Sequence, residues 1–152
     1  MHVVLLAAVL AGIALGTQND GLLSNSEIAY MESGGLAGRV REARFVALAG
    51  AVTVAYRSGD VRGQSVSQDG TLDAMLYVDL WREVLRIGTW EIASPGRSRG
   101  MDLVEHRLTI RQDNRMHTIR WDDGAPMSGE LQQVWDLGQR LIATAKDRAN
   151  ER

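Results

Sequence analysis

LVEHRLTIRQDNRMHTIRWD, residues 103–122, holds two runs of strand-forming residues on either side of Asp113-Asn114, a pair suited to a tight turn. A two-residue turn there pairs Ile110 with His117, Leu108 with Ile119 and His106 with Trp121. Because side chains alternate along a strand, all six then share one side of a sheet. That side is mostly apolar and needs a cover.

The cover is legible downstream. Asp123-Gly124-Ala125-Pro126 is a turn, and Ser128 stands where a helix N-cap belongs. Leu131, Val134, Trp135, Leu141, Ile142 and Ala145 then form the apolar face of a long C-terminal helix. Upstream, ASPGRSRG (93–100) reads as a loop and Thr89–Ile92 as a short strand. A second helix is expected from Leu72, capped by Thr71 and ended by Gly88. Its apolar stripe is Leu72, Met75, Leu76, Leu80, Val84 and Ile87, and its solvent side Asp73, Arg82, Glu83 and Arg86. Trp81 falls off that stripe and is expected to be half-buried; the other tryptophans, Trp90, Trp121 and Trp135, are expected in core roles.

Nearer the N-terminus, Val40–Arg57 carries β-favouring residues, with Val52, Val54 and Tyr56 on one parity and Gly50 as a turn or bulge. Ser58-Gly59-Asp60 is a tight turn into Val61–Ser67, which can close a further hairpin. Glu27–Ser33 alternates Ile28, Tyr30 and Glu32 against Ala29 and Met31, as a strand does. It breaks at GGLAG (34–38), which can reach positive φ at its three glycines. Strands gathered into hairpins beside separate helices predict an α+β fold: an antiparallel β-sheet with two α-helices packed on one face. One such domain over residues 27–147 suits a chain of 152 residues.

VVLLAAVLAGIAL (3–15) is apolar throughout, too short to span a bilayer comfortably, and followed by the small and polar GTQND (16–20). Residues 1–16 therefore read as a signal peptide cut after Gly16, with Ala11 and Gly12 offering an earlier cut, and residues 17–26 as a flexible leader. A buried first strand and an uncleaved anchor are the competing readings, since only His2 and the terminal amine supply positive charge ahead of the run. Export implies a periplasmic or secreted protein with no stable membrane insertion after cleavage.

The chemistry-bearing residues are sparse. With no Cys, thiolate zinc sites, disulfide scaffolds and cysteine nucleophiles are excluded. A net charge of −2 lacks the field that non-specific nucleic-acid binding needs, so no nucleic-acid partner is expected. His106 and His117 lie four residues apart along the hairpin by the pairing above, beyond the reach of one metal ion, and there is no HExxH. Neither a GxSxG elbow nor a P-loop occurs, and the adjacent acids Asp122 and Asp123 suit a solvated turn. No catalytic residue, metal or cofactor is expected.

SGGLAG (Ser33–Gly38) after an N-terminal strand, LWREVLRIGTW (Leu80–Trp90) in the middle helix, MHTIRWDDG (Met116–Gly124) at the hairpin's end and a capped last helix resemble, in that order, the emfourin-like proteins. These are small bacterial domains named for a protein inhibitor of thermolysin-like metallopeptidases. The resemblance covers about residues 27–145. It departs in the N-terminal export segment and in a longer stretch between SGGLAG and the middle helix. What it implies is an exported inhibitor that places a loop in a metallopeptidase cleft, with Ser33, Gly34, Gly35, Leu36 and Gly38 as partner-binding residues and Leu36 as the apolar plug. The same loop also reads as an ordinary strand-end turn. An exported binding module without inhibitory activity, and an enzyme of unrecognised type, are the other expectations.

Overall fold

The computed structural model describes residues 21–60, 65–100 and 102–149. The expected signal segment 1–16 and positions 17–20 of the leader lie outside the described residues, as do positions 61–64.

In chain order the elements are β1 (Asn25–Gly34), β2 (Arg39–Leu48), β3 (Ala51–Gly59), β4 (Ser65–Thr71), helix α1 (Ala74–Ile87), a 3-10 turn at Thr89–Glu91, β5 (Val104–Gln112), β6 (Arg115–Asp122) and helix α2 (Gly129–Ala149). All strand pairs are antiparallel, and the six-stranded sheet runs β4-β3-β2-β1-β5-β6. The expected α+β architecture is the one the chain adopts.

Both helices cover the same face. Ser26 and Tyr30 have the same parity on β1 and point one way. Ser26 Oγ lies 2.8 Å from the Tyr77 hydroxyl of α1, while the Tyr30 hydroxyl accepts from Gln139 Nε2 of α2 at 3.4 Å. Ile28, Phe45, Val54, Leu108, Ile110 and Ile119 fill the space beneath them, each almost wholly buried. Burying a side chain of that size contributes roughly 1.5–3 kcal/mol, so this face holds the layers together. The opposite face is wet and laced by charge: Arg44 reaches both oxygens of Glu27 at 2.8 and 3.1 Å, and Arg107 donates to Glu105 at 2.9 Å.

The β5–β6 hairpin has the expected register, with Ile110 opposite His117, Leu108 opposite Ile119 and His106 opposite Trp121. Ser128 caps α2 by accepting from the Leu131 N–H at 3.1 Å. α1 closes at Gly88 in the left-handed conformation, with φ 75°.

Elsewhere the expectations need correction. Residues 21–26 are not a free leader. Positions 21–24 form a helical turn, Leu22 is buried, and the β2–β3 turn grips the segment through Ala49 N–H to Ser24 O (3.0 Å) and Gly50 N–H to Leu23 O (2.8 Å). The two leucines give this stretch something to bury, so the domain starts ahead of Glu27. α1 is capped by Asp73 rather than Thr71: Asp73 Oδ1 accepts from Met75 N–H at 2.8 Å, while Thr71 ends β4 opposite Thr53. With the helix beginning two residues later, its buried stripe runs through Tyr77, Leu80, Trp81, Val84 and Ile87, leaving Met75 and Leu76 exposed. Trp81 is thus completely buried, stacked on Trp90 at 6.4 Å between ring centroids. The short strand expected at Thr89–Ile92 is a 3-10 turn, because Gly88 reverses the chain and the Glu91 N–H bonds back to Gly88 O at 3.0 Å. Finally, positions 61–64 of the strand expected at Val61–Ser67 lie outside the described residues; from Ser65 it is a strand as expected, but it continues to Thr71, as an edge strand with mostly exposed side chains.

Candidate functional site

β1 and β2 are joined by residues 35–38, closed by a hydrogen bond from Gly38 N–H to Gly35 O at 2.9 Å. Gly34, Gly35 and Gly38 all have positive φ, at 116°, 72° and 54°. Such angles strain any residue with a Cβ, which is why the turn is glycine-built. At Gly34 space forbids one as well: a Cβ would lie 2.6 Å from the carbonyl oxygen of Leu103. The chain just ahead of β5 therefore presses on the base of the turn, and Gly35 N–H donates to that same carbonyl at 3.4 Å.

At the tip stands Leu36, 90% exposed. Of the expected partner-binding residues, Gly34, Gly35, Leu36 and Gly38 come together in this tip. Ser33 does not. It is a strand residue, paired with Val40 on one side and Glu105 on the other, and its alternation places it on the wet face.

Beneath the tip is a buried polar cluster that sequence reasoning missed. Glu32 sits between Arg41 on β2 and His106 on β5, in register with both. Arg41 donates to Glu32 Oε2 through Nε at 2.9 Å and through Nη2. Gln139 of α2 and the Tyr30 hydroxyl both donate to Glu32 Oε1, the latter at 3.1 Å. Burial, and then the Glu32 carboxylate beside it, push the Tyr30 hydroxyl far above its usual range, so it keeps its proton. That hydroxyl also lies 2.9 Å from His106 Nδ1, and His106 Nε2 lies 2.7 Å from Asp123 Oδ1. Both imidazole nitrogens are engaged, and Trp121 stacks on the ring at 5.2 Å between centroids. His117 is occupied separately, with Nε2 2.9 Å from the Ile92 carbonyl oxygen. The sequence signals for this cluster were two polar residues at inward strand positions, Glu32 and His106, since buried polar groups demand partners.

A shallow hollow beside the tip is lined by Glu32, Gly34, Gly35, Leu36, Arg39 and Arg41. A second cleft opens between residues 94–100 and the adjoining ends of β5 and β6, lined among others by Arg97, Ser98, Glu105, Arg120, Trp121 and Asp122. It is fastened by Ser98 N–H to Asp122 Oδ2 and by Arg120 N–H to Ser94 Oγ, both 2.9 Å. The Ser98 hydroxyl and amide hold the Asp122 carboxyl below the usual carboxylate range. Among the described residues, no group of three or more His, Cys, Asp or Glu is placed to hold a metal ion, and no helix is long and apolar enough to cross a membrane.

No protein-family model matches this chain, and a search of curated proteins finds no match either.

Proposed function

We propose that this protein is a proteinaceous inhibitor of thermolysin-like metallopeptidases, exported to the periplasm or the medium, whose β1–β2 tip enters the substrate cleft. The observation that carries the reading is Leu36, 90% exposed at a turn built from glycines and pressed from below by the Leu103 carbonyl. An isolated apolar side chain on a rigid support suits a hydrophobic specificity pocket, because little conformational entropy is lost when it docks. The Glu32 cluster fits the same role: its hydrogen bonds to Arg41, Tyr30 and Gln139 tie β2 and α2 to β1 just beneath the tip and brace it.

The test is inhibition of thermolysin by the purified chain at nanomolar to micromolar concentration. Leu36→Asp is expected to abolish inhibition while the circular dichroism spectrum stays unchanged. Wild-type protein that leaves the peptidase fully active would sink the reading. The second reading is an exported binding module without inhibitory activity. It is favoured by the cleft beside segment 94–100, whose lining mixes Arg97 and Arg120 with Glu105 and Asp122, and saturable binding of a small polar molecule there would support it.

A further inference from the structure

Arg39 opens β2, one residue after the tip, and is exposed. It has the same parity as Arg41, so the two guanidinium groups lie two residues apart on the helix side of the sheet, at its open end. Their surroundings differ. Arg41 is held by Glu32, whose side chain is only 10% exposed and whose oxygens are saturated by Arg41, Tyr30 and Gln139. The Arg39 side chain, at the end of the β1–β2 ladder opposite Gly34, has no ion-pair or hydrogen-bond partner among the described residues. The hollow beside Leu36 therefore carries two guanidinium groups, of which Arg41 is spent on the buried carboxylate while Arg39 is turned to solvent.

We infer that the surface recognised by the tip is an apolar pocket flanked by carboxylates, with Leu36 filling the pocket and Arg39 meeting the acidic rim. This rests on the inhibitor reading and adds the chemistry of the partner's cleft to it. A guanidinium suits the task, because its planar fork matches a carboxylate with two parallel hydrogen bonds and it sheds water more readily than an ammonium. Leu36 supplies the affinity of burial. Arg39 supplies steering, which acts on the association rate and fades as salt screens it.

The experiment measures association of the full-length chain with thermolysin by progress curves on an uncharged peptide substrate, at low and high ionic strength. Wild-type association is expected to slow as salt rises. Arg39→Glu is expected to associate about tenfold more slowly than wild type at low salt, with the gap closing at about 0.5 M. Arg39→Gln should fall between them. If wild type inhibits and Leu36→Asp does not, yet Arg39→Glu matches wild type at every salt concentration, the acidic rim is wrong and the inhibitor reading stands. If wild type does not inhibit at all, both fall together.

Discussion

A Cβ placed on Gly138 would lie 2.3 Å from Cε2 of the Tyr30 ring. Helix α2 thus meets the central strand through the Tyr30 ring, which occupies the space that any other residue at 138 would need. Tyr30 is fully buried and cannot swing aside. Gly138→Ala is therefore expected to destabilise the protein by about 2 kcal/mol, the overpacking cost exceeding the gain of about 1 kcal/mol that alanine brings to a helix interior. Urea denaturation measures it, and a variant at least as stable as wild type would contradict this packing.

Gly34→Ala meets two obstacles at once, the Leu103 carbonyl and a φ of 116°. The expected loss is about 1–3 kcal/mol, taken up by distortion of the tip. On the inhibitor reading, inhibition should weaken by more than the stability loss alone explains. Gly21→Ala, with open space around the added methyl, is the control.

At the β2–β3 turn the residues Ala49 and Gly50 have φ of 50° and 84°. The glycine is at ease there, but alanine is not, because a Cβ in the left-handed region costs roughly 1–2 kcal/mol. Asparagine tolerates that region and favours this hairpin turn, so Ala49→Asn should raise stability by about 0.5–1 kcal/mol. A higher urea midpoint at unchanged slope is the expected result.

Asp122 gives a pH dependence of known sign. Ser98 holds its carboxyl below the usual range in the folded protein, so the carboxylate is favoured by folding. Its contribution is present above the ordinary aspartate value of about 3.9 and is lost as pH falls through the depressed folded value. The Ser98 amide proton should titrate with a midpoint below about 3.9 by NMR, and Asp122→Asn should erase the transition. A midpoint at or above that value would mean that Asp122 does not tie down segment 94–100.

What the sequence made legible follows from where the physical signal is local. The β5–β6 register could be read because a two-residue turn and the alternation of Leu108, Ile110 and Ile119 agree on it. The cap at Ser128 and the stop at Gly88 are likewise decided within one helical turn. The far end of β4 was not legible because SVSQDGT lies at the sheet edge and has no apolar face to display. The phase of α1 was missed because Met75 and Leu76, though apolar, face water, while Tyr77 and Trp81 carry the burial. For the site, the glycine tip was visible but its brace was not. Glu32, Arg41, His106 and Gln139 become neighbours only once β1 lies between β2 and β5 with α2 laid across it, and no short-range pattern encodes that order.

The place of β1 in that order has a mechanical consequence. Hydrogen-bonded along both edges, it anchors Leu36 to two ladders that must shear together before the tip can lengthen. Only residues 35–38 lie free between the paired strands, too few to be drawn straight by whatever grips them. On the inhibitor reading, a peptidase that takes hold of Leu36 meets a fixed bend, which is a poor thing to cut.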